Sequence, residues 1–334
     1  MALDLVPVWA AILALGVFVY VLTDGFDLGV GILSGRAPDD RARNLMINSI
    51  APVWDGNETW LILGGAGLLA VFPLAFAILM PALYFPILLM LVGLIFRGVA
   101  IEFRSVPGAL KKVWDGAFCV GSSVATFAQG VVLGNFVEGF PVVERHFAGG
   151  SFDWVRPFPL FTGVGLLFGY GLLGATWLIL KTDGVLQDWA RARAKHLLIG
   201  VLVLFGIACV WTPLAVPQIA ARWFSWPYPL ILLPLPVLGL LSAYGVWWGL
   251  ARRRELMPFV GAMGIFVTCY LGLGISILPY IVPYKLGLWD AAASHKTQGF
   301  LLIGTLFILP MVLIYTGWSY WVFRGKVQAD IGHE

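Results

Sequence analysis

The feature that most constrains this chain is a series of nine apolar runs, each close to the length that crosses a bilayer. A transmembrane helix needs about 20 mostly apolar residues. Charged residues make up only 12% of the sequence, against about 25% in ordinary globular proteins. The sequence therefore predicts an all-α integral membrane protein that forms a single polytopic domain over residues 1–334. The predicted spans are 8–33, 48–72, 76–96, 115–137, 159–181, 196–216, 229–250, 258–280 and 298–323.

The basic residues between these runs predict the orientation of the chain. Sixteen of the 21 Lys and Arg residues lie in the odd-numbered connections or in the C-terminal tail, and the even-numbered connections hold the other five. Cytoplasmic loops of membrane proteins carry an excess of Lys and Arg. The pattern places the N-terminus in the periplasm and the C-terminus in the cytoplasm, so an odd number of spans is required, and nine fits. The minority set is Arg145, Arg156, Arg222, Lys285 and Lys296.

Four carboxylates interrupt the first two apolar runs. Asp24 and Asp27 lie near the end of the first run, and Asp55 and Glu58 lie near the start of the second. Residues three apart share a helix face, so each pair is expected to point the same way. Two antiparallel neighbouring helices then bring both pairs to a similar depth on the cytoplasmic side. Gly25 and the residue four positions later form a GxxxG step that lets another helix approach closely.

Two further charged residues are expected close to these acids. Arg97 and Glu102 lie at the cytoplasmic end of the third run and are candidate charge partners.

The sequence leaves two interpretations of the acidic cluster open. Ionisable residues inside a membrane segment cost a few kcal/mol each on insertion scales and commonly mark a proton or ion pathway. The alternative is a structural polar group, in which Arg97 and helix N-termini neutralise acids that only fix the packing. The candidate proton-pathway residues are Asp24, Asp27, Asp55, Glu58, Arg97 and Glu102.

The histidines argue against a redox centre in this chain. All four lie in predicted loops, in the tail or at the end of a span, whereas a haem inside the membrane needs an axial ligand within a helix. The sequence also contains no Ser/His/Asp set, Walker loop or zinc-spaced cluster, and nothing in it indicates nucleic acid. We therefore expect no catalytic residue, metal or haem within the chain. The histidines are His146, His196, His295 and His333.

Several motifs resemble subunit II of the bacterial cytochrome bd quinol oxidases. They are Thr-Asp-Gly-Phe-Asp-Leu-Gly-Val-Gly at 23–31, Met-Ile-Asn-Ser-Ile-Ala-Pro-Val-Trp-Asp-Gly-Asn at 46–57 and Phe-Arg-Gly-Val-Ala-Ile-Glu-Phe-Arg at 96–104. The pairs Trp114-Asp115 and Trp289-Asp290 and the late Pro-Tyr-Ile-Val-Pro segment continue the match. The similarity covers essentially the whole chain. The modest length of the chain resembles that of the cyanide-insensitive branch of the family more than that of its longer members. Some relatives carry His at the position of Val53, so no role that needs an imidazole there is carried over.

The resemblance implies a partner that performs the chemistry. In that family subunit I carries two b-type haems and either haem d or a third haem b, and it oxidises quinol at the outer side of the bacterial inner membrane. Subunit II is a haem-free nine-helix protein, arranged as two four-helix bundles and one peripheral helix. A small single-helix third subunit, bound lipid and a ubiquinone in this chain are left open.

The resemblance also implies where protons enter. Oxygen is reduced with protons from the cytoplasm, and a route through acidic residues of subunit II is one proposed path. Carried over by motif, the candidates are Asp27 and Asp55, with Asp24 at the entry and Arg97 nearby.

The alternative function is a proton-coupled permease that uses the same buried carboxylates. Such transporters often place broken or charged helices near the membrane centre in both halves of the chain. Here the acids cluster in one half and near one face, which favours the oxidase subunit.

Overall fold

The computed structural model describes residues 4–104 and 110–327, and helices account for most of them. Two short antiparallel hairpins pair β1 (Val142–Val143) with β2 (His146–Phe147), and β3 (Tyr280–Val282) with β4 (Leu286–Gly287). The helices are α1 (Val6–Ser34), α2 (Asp40–Asn48), α3 (Trp54–Val71), α4 (Pro73–Ala82), α5 (Tyr84–Phe103), α6 (Lys111–Glu138), α7 (Pro157–Lys181), α8 (Gly184–Ala215), α9 (Pro217–Phe224), α10 (Tyr228–Leu232), α11 (Pro234–Ala251), α12 (Leu256–Ile277), α13 (Leu288–Ala291) and α14 (His295–Val322).

Eight helical segments of the described chain are long and apolar enough to cross a membrane. They correspond to eight of the nine predicted spans. The remaining predicted span is the second, at 48–72, which corresponds to α3. This helix has 18 residues but includes Asp55 and Glu58, and it is not among the eight. An all-helical membrane fold is therefore confirmed, and the count of nine spans stays a prediction. The eight are α1, α5, α6, α7, α8, α10 with α11, α12 and α14.

Three predicted spans have clearly different limits in the structure. The sixth was predicted as 196–216, but α8 begins already at Gly184. The second was predicted from residue 48, but 49–53 form turns and α3 begins only at Trp54. The amphipathic helix α2 precedes it, and the Asp39 carboxylate caps α2 by accepting a hydrogen bond from the Ala42 amide at 2.7 Å. The third was predicted to end at 96, whereas α5 continues to Phe103 and thereby encloses Arg97 within the helix.

Helix α1 lies at the centre of the packing and contacts α3, α6 and α7. Its closest approach is to α7, where glycines of the two helices meet. A Cβ atom built on Gly29 would lie 1.8 Å from the Tyr170 carbonyl oxygen, and one built on Gly174 would lie 2.3 Å from the Gly29 carbonyl carbon. The GxxxG step on α1 thus allows backbone contact with α7, and this contact sets the position of the acidic residues on α1.

An ion-pair network joins the ends of α2, α5 and α6. The Asp115 carboxylate on α6 pairs with Arg104 and, at 3.4 Å, with Arg43. Arg43 also pairs with Asp40 at 2.6 Å. These contacts fix the helix ends beside the acidic residues of α1.

Helix α14 lies at the edge of this packing. Only Gln298 is buried among its 28 residues. One face is partly buried against the rest of the chain, and most of the other residues are exposed in the isolated chain. The start of the helix is held because the Trp9 indole nitrogen donates to the Gln298 carbonyl at 3.2 Å and the Ala293 amide donates to the Val71 carbonyl at 2.7 Å.

The Gly29–Gly174 contact gives a stability prediction. We expect Gly174→Ala to destabilise the protein by about 1–3 kcal/mol, because the added methyl group meets backbone that has no room to move. The matched control is Gly165→Ala on the same helix, where an added Cβ meets nothing within 4 Å. The measurement is thermal denaturation of the purified, detergent-solubilised protein. Equal melting temperatures for the two variants would contradict the packing argument.

Candidate functional site

The centre of the candidate site is a buried ion pair between α1 and α5. The Arg97 guanidinium donates to Asp24 Oδ1 over 2.6 Å, and the two side chains are 0% and 1% exposed. Such a pair is retained only where both charges are well matched, because removing either partner leaves an uncompensated buried charge. The sequence-based pairing of Arg97 with the acids is therefore found for Asp24.

A third helix completes the surroundings of Arg97. The Glu58 carboxylate on α3 lies 3.4 Å from Arg97 Nη2, and its side chain is 29% exposed. The Trp54 ring, one helical turn earlier, lies 5.2 Å from the guanidinium carbon and covers it. Arg97 is thus shared by one fully buried and one partly exposed carboxylate.

A hydrogen-bonded chain leads from Asp27 to the last helix. The Asn57 side-chain amide donates to Asp27 Oδ2 at 2.7 Å, and the Tyr320 hydroxyl donates to Asn57 Oδ1 at 2.7 Å. Asp27 is fully buried and Asn57 is 1% exposed. Asn57 therefore fixes the Asp27 carboxylate and connects α1, α3 and α14 through one amide group.

A second polar chain leads from Asp24 into the interior of the protein. Tyr20 lies one turn earlier on α1, close enough to Asp24 for its hydroxyl to interact with the carboxylate. The Gln129 amide on α6 donates to the Tyr20 oxygen at 2.7 Å and accepts from the Tyr170 hydroxyl at 3.0 Å. These three neutral side chains therefore connect α1, α6 and α7 next to Asp24.

The site has more hydrogen-bonding capacity than its protein contacts use. Among the described residues, Asp24 Oδ2, Asp27 Oδ1 and two guanidinium nitrogens of Arg97 are buried without a protein partner. The buried hydroxyls of Ser122 and Thr126 on α6 are also without one. Buried polar atoms of this kind are uncommon in folded proteins and need an explanation.

The structure does not bring all six predicted site residues together. Asp24, Asp27, Glu58 and Arg97 form the cluster described above, but Asp55 is exposed. Because α3 begins at Trp54, Asp55 lies in the first turn of the helix rather than several residues inside it, and the helix dipole favours a carboxylate there. The expectation that Asp55 is as deep as Asp27 is therefore wrong.

Glu102 is the other predicted residue outside the cluster. It lies exposed near the end of α5, more than one helical turn beyond Arg97.

Sequence reasoning missed four neutral residues that hold the acids. Asn57 is the last residue of the 46–57 motif, but it is uncharged, and the site prediction used charged residues only. Tyr20, Gln129 and Tyr320 are polar residues in apolar helices, and this was the signal that could have found them.

The described histidines do not fit a haem. His146, His196 and His295 are all exposed, and the part of the chain covered by the structure holds no group of three or more His, Cys, Asp or Glu residues arranged for a metal ion. An axial ligand has to project into the protein interior.

Comparison with known proteins identifies the family. Residues 5–323 match the family model for cytochrome bd terminal oxidase subunit II. The chain belongs to this family.

Curated relatives and a solved structure agree with that assignment. The cytochrome bd-I ubiquinol oxidase subunit 2 of Escherichia coli K12 is 30% identical, with 97% of this chain and 95% of that protein covered. The cytochrome bd ubiquinol oxidase subunit 2 of Bacillus subtilis is 29% identical, with 97% and 96% covered. The bd oxidase structure from Geobacillus thermodenitrificans shares the fold with a TM-score of 0.75 at 18% identity, covering 96% of this chain and 99% of that one.

Membership in the cytochrome bd subunit II family has direct consequences. The protein is a multi-pass component of the bacterial inner membrane and a subunit of a quinol oxidase complex, a respiratory terminal oxidase. Such a complex is an oxidoreductase with a subunit I partner. The family assignment favours this function over a permease.

The buried pair gives a second stability prediction. We expect Arg97→Met to destabilise the protein by about 3–5 kcal/mol, because it leaves Asp24 charged and unpaired in the interior. Replacing both partners, as Arg97→Met with Asp24→Asn, removes that uncompensated charge and should recover part of the loss. The measurement is the yield and melting temperature of the purified complex. A double variant no more stable than Arg97→Met alone would contradict this account of the pair.

Proposed function

We propose that this chain is the haem-free subunit II of a cytochrome bd-type ubiquinol:oxygen oxidoreductase, that it scaffolds the haem-bearing subunit I, and that it supplies a cytoplasmic path for proton uptake. The observation that carries the proton path is the buried pair of carboxylates, Asp24 and Asp27, connected to the surface through the partly exposed Glu58. The ubiquinol substrate is proposed by analogy with the Escherichia coli relative, whose name includes it.

The geometry supports a particular order of groups along the path. Asp55, exposed at the start of α3, is the entrance, and Glu58 follows one turn deeper. Arg97 connects Glu58 to Asp24 across distances of 3.4 and 2.6 Å. Asp27 lies one turn from Asp24 on α1 and ends the acidic series. Desolvation disfavours the charged form of a carboxylate, so a buried acid can alternate between protonated and ionised states.

The predicted topology supports a cytoplasmic entrance. We propose nine spans with α3 as the second, the N-terminus in the periplasm and the C-terminus in the cytoplasm, on the strength of the positive-inside pattern. The spans would form two four-helix bundles and one peripheral helix. Asp27 then lies seven residues before the cytoplasmic end of α1, or about 10 Å at 1.5 Å per residue.

The exposed surface supports a scaffolding role. In the isolated chain, none of the most apolar 18-residue window of α14 is buried, and α3 next to it carries the exposed Asp55. Asp55 lies at one end of this face, in the first turn of α3, so a protein partner can cover the apolar part of the face while Asp55 stays in contact with the cytoplasm. We assign the α3–α14 face to subunit I, which would hold two b-type haems and either haem d or a third haem b. Lipid and a small single-helix third subunit would cover other helices.

The proton path predicts the effect of neutralising Asp27. We expect Asp27→Asn to lower ubiquinol oxidase turnover roughly tenfold or more, because removal of a proton-transfer group typically costs 10²–10⁴-fold. The haem content of the purified complex should stay unchanged, since Asn can keep the hydrogen bond to Asn57. Oxygen consumption with a soluble quinol and the absorption spectrum are the measurements.

The matched control for Asp27 is Asp40→Asn. Asp40 is an acid near the same end of the chain, but its side chain is 70% exposed and lies outside the cluster. Its replacement should leave turnover unchanged. If Asp27→Asn turns over like the control variant with full haem content, this chain is not the proton path and the acids are structural.

A separate prediction concerns the entrance residue Asp55. We expect Asp55→Asn to lower turnover while the complex assembles with its full haem complement, and we expect a smaller effect than at Asp27. The reason is that an exposed entrance can be bypassed by water, whereas a buried relay cannot. Turnover measured at several pH values tests this order. A larger loss at Asp55 than at Asp27 would reverse the proposed order of groups, and loss of haem would assign Asp55 to assembly.

A further inference from the structure

Beyond α14, the chain folds back onto two connections between other helices. The Lys181 ammonium at the end of α7 donates to the carbonyl of Phe323 and, at 3.2 Å, to that of Gly325. In return, the Val327 amide donates to the Lys181 carbonyl at 2.8 Å. The tail is therefore held by its backbone along residues 323–327, which is a contact that a frayed helix end does not make.

The side chain of Lys326 adds ion pairs to these backbone contacts of the tail. Its ammonium lies 2.9 Å from Glu255, at the start of α12, and 3.4 Å from Asp183, between α7 and α8. It also donates to the Thr182 carbonyl at 3.0 Å, and Gln187 donates to the second oxygen of Glu255 at 2.8 Å. We call Lys181, Asp183, Glu255 and Lys326 the C-terminal clasp.

The clasp lies beside the residue that connects α14 to the acidic cluster. Tyr320 is only three residues before Phe323, and its hydroxyl donates to Asn57, which holds Asp27. Its ring meets the rings of Phe26 and Trp177 edge-on, with centroids 6.3 Å away in both cases. The Lys181 ammonium lies 5.0 Å from the Trp177 ring centroid, so the clasp and the Tyr320 packing share a side chain.

In the described structure, the end of α14 contacts the rest of the chain through Tyr320 and through the clasp. Gln298, the one buried residue of the helix, lies near its start, about 33 Å from Tyr320 at 1.5 Å per residue. Because the buried residue lies near the start of α14, the other end of the helix can move far enough to break the 2.7 Å hydrogen bond between Tyr320 and Asn57. The clasp is the contact that prevents this shift.

We propose that the C-terminal clasp, through Lys326, positions Tyr320 against Asn57 and thereby sets the geometry of Asp27. Lys326 is a positioning residue that acts through Tyr320, and it does not exchange protons with the cluster. The functional part of this inference rests on the proposed proton path, whereas the structural part, that the clasp holds the end of α14, does not.

The charges of the clasp are suited to the cytoplasm. Hydrogen bonds from Lys326 and Gln187 hold the pKa of Glu255 below its ordinary value of 4.5. A carboxyl whose pKa is lowered in the folded state stabilises that state above its ordinary pKa, and the contribution is lost as the pH falls through the lowered value. The Lys326–Glu255 pair therefore contributes fully near neutral pH, and its contribution falls only in acid.

The test is a double-variant cycle in the intact complex. Lys326→Ala should lower quinol oxidase turnover roughly threefold to tenfold, with haem content unchanged, since a misplacement of about 1 Å can cost up to about 100-fold and the clasp acts through Tyr320. Lys326→Arg, which keeps the charge, should restore most of the turnover. In a Tyr320→Phe background, which already lacks the hydroxyl, Lys326→Ala should have no further effect. Additive effects would overturn the proposal, and so would an unchanged turnover in Lys326→Ala when Asp27→Asn does lower turnover.

The matched control is Arg324→Ala. Arg324 lies in the same tail, but its guanidinium donates to the Trp321 carbonyl of its own helix and lies over the Trp321 ring. It touches no member of the clasp in the described structure, and its replacement should leave turnover unchanged. A loss equal to that of Lys326→Ala would mean that tail charge alone matters, and would overturn the proposal.

A second measurement separates failure of the clasp from failure of the proton path. Chymotryptic cleavage after Phe323 in the purified complex should be faster in Lys326→Ala than in the parent or in Arg324→Ala, because proteolysis follows the population of the open tail. If Lys326→Ala does not assemble, Glu255→Gln and Asp183→Asn each remove one partner and should give smaller increases. Unchanged cleavage overturns the clasp. Faster cleavage with unchanged turnover in both Lys326→Ala and Asp27→Asn keeps the clasp and rejects the proton path.

Discussion

The ion pair between Arg97 and Asp24 is the interaction on which the arrangement of this protein depends. It joins α5 to α1 with both charges removed from solvent, and α5 otherwise packs mainly on α6. A charge buried in a membrane protein has to be neutralised close by. This requirement fixes the rotation of α1, the entry of α3 with Glu58, and the position of Trp54 over the guanidinium.

Close backbone packing makes that pairing possible. Gly29 and Gly174 let α1 and α7 approach until their backbones touch. The face of α1 that carries Asp24 and Asp27 is then enclosed on all sides by helices of the same chain. Small residues at membrane helix interfaces commonly allow this kind of approach, and here the result is a dry environment for two carboxylates.

Two polar chains leave the cluster and end in different places. Tyr20 and Gln129 lead from Asp24 into the interior of the chain. Asn57 and Tyr320 lead to α14, at the edge of the molecule. The second chain reaches the face that we assign to subunit I, where oxygen reduction takes place in the proposed complex. The first hydrogen-bonded chain therefore has a structural role within the protein, whereas the second connects the acidic cluster to the surface that we assign to the partner.

The sequence by itself determined the membrane class, eight of the spans, the family and the grouping of Asp24, Asp27, Glu58 and Arg97. It could do so because apolar length, loop charge and i,i+3 spacing are local properties of the chain. Only the tertiary structure decided that Asp55 is exposed, that α3 begins late at Trp54, and that Asn57 and Tyr320 hold Asp27. Those results depend on which helices meet, and contacts between residues such as Asn57 and Tyr320, 263 positions apart, leave no periodic signal in either helix. The clasp at Lys326 could not be predicted for the same reason, since its partners come from two distant connections that only packing brings together.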